Sequence, residues 1–325
     1  MRILVTGGAG FIGSTLVYQL VILGGEVLVV DDLSTGSFGN VDPRASFRKL
    51  DITSPEFIEV AREFNPDVIV HLAAQASVAD SFKDPEKNQR INVEGTRNVV
   101  EAVKACPACG RLVFSSTAAV YGDPENLPIS EGDSKNPINP YGQSKLDAEK
   151  IIDDELRPLG IDFAILRFAN VYGPRQGLLG EGGVISAFSQ ALALDKVPFI
   201  EGDGRQTRDF IYVSDIVFGL ISVIGGDIPF AGDPATQKDP GRYNLSTGTS
   251  TSIEEVGASF RMAAQFFGPY DKRPAREGDI RDSVLDFSRA RATFEFLPDV
   301  DFNTGVQSTY DWFKLELTGE HQDGL

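Results

Sequence analysis

The sequence predicts an α/β fold built on a doubly wound, mostly parallel sheet, and three observations carry that prediction. Short apolar strands alternate with amphipathic helical stretches through the first half of the chain. A glycine-rich turn joins the first strand to the first helix, and after Arg167 the texture changes to clusters of Gly, Pro and Arg. Strands that alternate with helices at this spacing are joined by helical crossovers, which makes neighbours parallel and covers both faces of the sheet.

Taken in order, the strand-like segments are 2–6, 26–30, 47–50, 68–71, 111–115 and 163–166. The helix over 14–23 places Leu16, Val17, Leu20, Val21 and Leu23 on one stripe, and Gly24-Gly25 stops it. Segments 93–105 and 141–156 follow the same pattern, the second opened by Asn139 as N-cap and Pro140 in the first turn. Beyond Arg167, helices over 185–194 and 253–267 are set among the clusters 172–176, 201–205 and 273–276. The segment 210–213 reads as a further strand, so the chain is expected to revisit the sheet near 209–220. The division predicted is a dinucleotide-binding unit over 1–171 and a smaller, loop-rich α/β lobe over 172–320. That lobe would close over the carboxyl ends of the strands, where open α/β sheets bind ligands.

Composition bounds the partners. A chain of 325 residues buries a core that needs no staples, and its formal net charge of −17 repels nucleic acid and anionic membranes. No apolar run reaches the roughly 18 residues of a membrane span. The opening Met1-Arg2-Ile3-Leu4-Val5 runs into a glycine turn, as a strand does and a signal peptide does not, so a cytoplasmic protein is expected. Phosphates must then be met locally, by a few arginines and helix N-termini. Cys106-Pro107-Ala108-Cys109 has the spacing of a redox or zinc pair, but His71 and His321 are the only histidines and no further cysteine exists. A structural role is expected for the pair, and no metal site.

The chemistry begins at Gly7-x-x-Gly10-x-x-Gly13, placed between the first strand and the first helix. Gly7 permits the tight turn, Gly10 lets a pyrophosphate approach the backbone, and Gly13 allows close helix packing. The helix N-terminus offers free N–H groups and partial positive charge to the phosphates. Asp31 ends the second strand about 20 residues on, where a carboxylate accepts from the adenosine ribose and repels a 2′-phosphate. This favours NAD over NADP. Asp51-Ile52 and Leu72-Ala73-Ala74 fall at later strand ends, the first suited to the adenine edge and the second to the nicotinamide half.

Tyr141 and Lys145 stand at i and i+4, on one helical face. A tyrosine with a pKa near 10 is a poor base at neutral pH, and a neighbouring ammonium together with an oxidised nicotinamide favours its phenolate. Tyr141 can then take a proton from a hydroxyl while hydride leaves the same carbon. Ser115-Ser116-Thr117 supplies hydroxyls at the end of the fifth strand, with Thr117 as proton relay or oxygen holder.

Together these elements resemble the extended short-chain dehydrogenase/reductases, and within them the nucleotide-sugar 4-epimerases. The resemblance runs through TGGAGFIG, DDLSTG, HLAAQASV, INVEGT, SSTAAVYG, YGQSK, RFANVYGPRQ, GDGRQTRDFIYVSDI and REGDIRDS. It implies Thr117, Tyr141 and Lys145 as catalytic residues. The cofactor contacts expected are Gly7, Gly10, Phe11, Ile12, Gly13, Asp31, Asp51, Ile52, Leu72, Ala73, Ala74, Asn92 and Ser115, with Tyr141 and Lys145. It also implies Asn170, Arg208 and Arg276 on a nucleotide diphosphate and Asp279 on a ribose. The reaction implied is 4-epimerisation of a UDP-sugar through a transient 4-keto sugar, with NAD tightly held. Ala118 and Ala119 supply none of the carboxylates that the dehydratase and decarboxylase branches carry near this point. Ser283 falls where epimerases carry either a bulky aromatic or a small residue, and the small type is associated with N-acetylated sugars. Family members commonly form homodimers through the Tyr141 helix and the 93–105 helix. A UDP-glucuronate 4-epimerase, a net sugar reductase or dehydrogenase, and a non-catalytic NAD-binding regulator remain open as alternatives.

Overall fold

The protein is described by a computed structural model over residues 1–177, 182–274 and 280–319. Its first half alternates as the apolar pattern requires. The elements are β1 (Arg2–Thr6), α1 (Phe11–Ile22), β2 (Glu26–Asp31), β3 (Ser46–Lys49), α2 (Glu56–Phe64) and β4 (Val68–His71). After these come α3 (Val78–Lys83), α4 (Pro85–Gln89), α5 (Gly95–Ala105), β5 (Arg111–Thr117), α6 (Pro140–Leu156) and β6 (Asp162–Phe168). These strands pair in parallel throughout. Successive residues of β1 point to opposite faces, and both faces are buried. Ile3 and Val5 pack with Leu16, Val17 and Leu20 of α1, whereas Leu4 packs in the layer of Phe57, Val99 and Ile152.

The second half contributes β7 (Asn170–Tyr172), α7 (Val184–Ala193), β8 (Phe199–Glu201), β9 (Thr207–Arg208), β10 (Phe210–Tyr212) and α8 (Val213–Gly225). It continues with β11 (Arg242–Leu245), β12 (Thr251–Ser252), α9 (Ile253–Ala263), β13 (Asp271–Arg273), β14 (Asp282–Ser283), α10 (Ser288–Phe294) and α11 (Phe302–Thr318). The seven-stranded sheet has the order β11-β6-β5-β4-β1-β2-β3.

One expectation is corrected here. The strand predicted at 210–213 does not rejoin the main sheet. As β10 it pairs in parallel with β7, and Phe210 stacks with Tyr172 and Phe302 in a separate core that also holds Phe188, Phe260 and Phe313. What returns to the large layer near 209–220 is helix α8, whose Ile216, Val217 and Leu220 join the α1 face. The seventh strand is β11, beside β6. Its sequence, Arg-Tyr-Asn-Leu, looks too polar for a buried strand. Asn244 is fully buried because its amide donates to the carbonyls of Ile129 and Asp286 and its oxygen accepts from the Tyr121 hydroxyl. No described helix is long and apolar enough to cross a membrane.

Candidate active site

The carboxyl ends of β1, β2, β4 and β5 open into a cleft of about 1650 Å³. At the end of β1, Gly7 adopts φ +71°, and a Cβ there would lie 2.6 Å from the Ala73 nitrogen. A Cβ on Gly13 would lie 2.1 Å from the Gly7 oxygen, so only glycine lets α1 start this close to the turn. At Gly10 the nearest atom is the Gly7 oxygen at 3.3 Å, which leaves that position facing the cleft. Gly7 and Gly13 thus let the turn close on its neighbours, and Gly10 leaves open a cradle that a pyrophosphate fits. Asp31, nearly buried, accepts from the amides of Ala9 (3.0 Å) and Leu33 (2.8 Å). Burial raises its carboxyl above the usual range although both amides pull the other way. Phe11, Ile12, Asp51, Ile52, Leu72, Ala73, Ala74 and Ser115 line the same half of the cleft.

Across from this cradle, α6 starts at Asn139, whose side chain accepts from the Gly142 amide at 2.8 Å. A Cβ on Gly142 would lie 2.5 Å from the Ala119 oxygen, so this glycine lets the helix press against the end of β5. Tyr141 is thereby brought to the end of β5, where it lines the cleft with Thr117. Burial pushes the Tyr141 phenol up to about 12, and Thr117 opposes that rise. One turn on, the Lys145 ammonium donates to the Ser115 carbonyl at 2.8 Å and lies 4.7 Å over the Phe114 ring. Burial lowers Lys145 to about 7, opposed by the charge of Glu149. Behind it, Glu149 takes a forked pair from Arg167 (2.9 and 2.6 Å) and a 2.5 Å bond from Ser116, all buried. Arg167 holds the Glu149 carboxyl below its usual range against the cost of burial.

The remaining wall comes from the second half of the chain. Asn170 opens β7, Arg208 lies in β9, and Ser283 in β14 sits opposite Arg208 in the ladder. All three line the cleft with Tyr141. Arg276 and Asp279 lie outside the described residues. Asn92 lies behind the loop after β4 and is 2% exposed. Its amide is spent on Gln75, Asn88 and Ser144, because a π-turn over Arg90–Glu94 aims it at the loop after β4. Through Gln75 it holds a wall of the cleft. Cys106 and Cys109 are free and buried, with burial raising Cys109 to about 12. Among the described residues no His, Cys, Asp or Glu cluster could hold a metal ion.

Residues 3–227 match the NAD dependent epimerase/dehydratase family. The chain belongs to that family. It is 38% identical to a putative UDP-glucose 4-epimerase of Methanocaldococcus jannaschii, over 96% of this chain and 98% of the relative. The UDP-glucose 4-epimerase of Thermotoga maritima, solved with UDP-glucose, superposes with a TM-score of 0.90 at 33% identity, covering 98% of this chain and 100% of that one. The Thermus thermophilus UDP-glucose 4-epimerase, solved with NAD, gives a TM-score of 0.86 at 35% identity, covering 96% and 99%.

Two further residues bear on the cleft, Asp209 and Arg175. Asp209 accepts from the amides of Thr247, Gly248 and Leu285 and from the Thr247 hydroxyl, while its carbonyl takes both the backbone amide and the side-chain amide of Asn170. It fixes Arg208 and Asn170 together, yet in sequence it is one acid beside an arginine. Arg175 lines the cleft, held at φ +73° with its guanidinium 3.1 Å from the Ser14 hydroxyl. The Gly-Pro-Arg run around it is visible in the sequence; its proximity to α1 is not.

Proposed function

We propose that this chain is an isomerase that interconverts C4 epimers of UDP-sugars, UDP-glucose and UDP-galactose first, by way of a transient 4-keto sugar. The observation that carries the reading is that Tyr141 and Thr117 line one cleft, with Lys145 one turn behind, together with the glycine turn and the Asn170–Arg208–Ser283 wall. When bound, NAD supplies the acceptor and donor of the C4 hydride. Gly7, Gly10 and Gly13 with the α1 N-terminus would hold its pyrophosphate, and Asp31 its adenosine ribose. Tyr141 takes the C4 hydroxyl proton and returns it. Positive charge at Lys145 and at the nicotinamide draws the phenol down from its high value in the unliganded site. Thr117 steadies the reacting oxygen. Arg208 grips the diphosphate, so that the sugar can turn about this tether inside a wide cleft. Positions 118 and 119 are alanines, which leaves no carboxylate beside Thr117 to draw a C5 proton.

The test is incubation of purified protein with a panel of UDP-sugars, without added cofactor, followed by product analysis. C4 epimers without accumulated NADH support the reading. Turnover only with stoichiometric NAD(P)H would make the enzyme a net reductase, and NAD binding without turnover a regulator. Ser283, small and beside Arg208, supports a second substrate pair, UDP-GlcNAc and UDP-GalNAc; no turnover of that pair excludes it. UDP-glucuronate in the panel tests the uronic acid alternative.

The same reading takes 1–171 as the NAD-binding unit and 172–320 as the sugar-nucleotide lobe, with α8 and β11 crossing back to the first. It includes a homodimer through α5 and α6. The outward sides of these helices carry Arg97, Lys104 and Glu155, already ion-paired within the chain at 3.0 and 2.6 Å. Such an interface would be polar, and sedimentation at low and high salt tests it. A cytoplasmic location belongs to the same reading, supported by thiols that remain unpaired; cell fractionation tests it.

A further inference from the structure

His71 ends β4 directly under the cofactor wall, is 1% exposed, and takes no part in the proton transfer described above. Its ring lies between two threonines: Nδ1 is 2.8 Å from the Thr6 hydroxyl and Nε2 is 3.1 Å from the Thr96 hydroxyl. Each hydroxyl has one proton to give, so the tautomer follows from where those protons go. Thr96 donates to the Asn92 carbonyl one helical turn back, at 2.6 Å. It can therefore only accept from the ring, which puts the proton on Nε2. Nδ1 is then a bare acceptor and takes the Thr6 proton. The Thr6 oxygen in turn accepts from the Ala73 amide at 3.2 Å.

The result is a one-way chain: Ala73 N–H to Thr6, Thr6 to His71, His71 to Thr96, Thr96 to the Asn92 carbonyl. Both ends bear on the loop after β4. Ala73 lies against the glycine turn, 2.6 Å from where a Gly7 Cβ would stand. Asn92 clasps Gln75 in both directions, accepting from its amide at 2.8 Å and donating to its carbonyl at 2.9 Å. Ala73 and Gln75 both line the cleft. A protonated ring would leave the Thr6 hydroxyl proton without an acceptor in a fully buried place. Burial and the Lys145 charge hold the ring neutral as well, near pKa 3.

We propose that His71, fixed as the neutral Nε2–H tautomer, is a positioning residue that sets the loop after β4 against the glycine turn and so governs how tightly NAD is retained. The proposal rests on the cofactor site assigned above, but its first test does not. The chain has two histidines, so ¹⁵N-histidine labelling of a His321→Gln variant leaves His71 alone in the spectrum. The expected signature is a protonated Nε2 and an unprotonated Nδ1; an Nδ1–H ring or an imidazolium would overturn the proposal.

The second test separates positioning from general support of the fold. Thr96→Val removes the acceptor of the Nε2 proton, whereas Thr96→Ser keeps it. Thr96→Val is expected to release NAD about tenfold faster or more, the cost of one unmet buried donor. UDP affinity should be unchanged, and Thr96→Ser should restore retention. Equal NAD release from the Val and Ser variants overturns the proposal, and so does equal weakening of NAD and UDP. If Thr96→Val does not fold, the spectrum of the otherwise native chain still decides.

Discussion

The wall proposed for the cofactor and the wall proposed for the sugar nucleotide line one cleft but are held by different means. On the cofactor side, consecutive parallel strands end side by side, and each contributes the residues next to its own end: Gly7 after β1, Asp31 on β2, Leu72 after β4, Ser115 on β5. The ladder of the sheet positions them, so a fault at one strand end stays local. On the other side, Asn170, Arg208 and Ser283 sit in strands of two or three residues drawn from distant parts of the chain. Such short pieces have little ladder of their own, and the Asp209 carboxylate and carbonyl gather them. Damage to that hub should therefore move several substrate contacts at once and leave the cofactor untouched.

The largest effect is expected where the walls meet. Tyr141→Phe removes the proton carrier and leaves the ring in place, so turnover should fall by about 10²–10⁴-fold. NAD retention and UDP affinity should stay near those of the parent protein. Turnover within a factor of a few of the parent would take Tyr141 out of the chemistry.

Lys145 sharpens the comparison through pH. Its buried ammonium has a folded-state pKa near 7, against about 10.4 for an unfolded lysine. Between these values the unfolded chain binds more protons than the folded one, so stability gains with rising pH. Below pH 7 the burial penalty is fully present. The cofactor-free protein should therefore gain stability from about pH 7 to 10 relative to Lys145→Met, as followed by urea unfolding at each pH. Parallel curves for the two proteins would show that Lys145 is not strained by burial.

Asp209→Asn tests the hub. An amide cannot accept at both ends, so the bonds to Gly248 and Leu285 or those to Thr247 must be lost. The KM for the UDP-sugar should rise by about ten- to a hundredfold, the range for a charged hydrogen bond. NAD release should be unaltered. A matching loss of NAD would mean that the two walls are not independent.

The same difference explains what could be read from the sequence. The glycine turn, Asp31, Tyr141 and Lys145 lie within or beside single elements, where local spacing determines geometry. Five of the strands β1–β6 are legible because apolar runs mark buried parallel strands; β3, Ser-Phe-Arg-Lys, is a largely exposed edge strand placed by its position in the alternation. β11 was missed because Arg242 and Asn244 look exposed until their distant partners are known. The segment 210–213 was recognised as a strand but assigned to the wrong sheet, since its aromatic neighbours Tyr172 and Phe302 come from far along the chain. A motif shows that Asn92 recurs; that a π-turn aims its side chain at Gln75 shows only in the fold. Arg208 was expected from its motif context; Asp209, which holds it, has no signal beyond its position.

The smallest expected effect lies on the cofactor side, at Asp31. Its carboxylate ties the Ala9 and Leu33 amides, and in the proposed reading it also presents a negative charge to the adenosine ribose. Asp31→Asn keeps an acceptor for one amide and loses the other, together with the charge. Because neighbouring strands still fix the turn, the fault should remain at that strand end. NAD affinity should drop by several-fold, in line with about 1 kcal/mol for one hydrogen bond, while the KM for the UDP-sugar is unchanged. The charge that repels a 2′-phosphate also goes, so the preference for NAD over NADP should narrow by more than NAD affinity falls. Equilibrium dialysis of cofactor-free protein against each dinucleotide measures both. If NAD affinity falls while the preference does not narrow, Asp31 serves the turn alone, and discrimination against the 2′-phosphate must come from elsewhere in the wall.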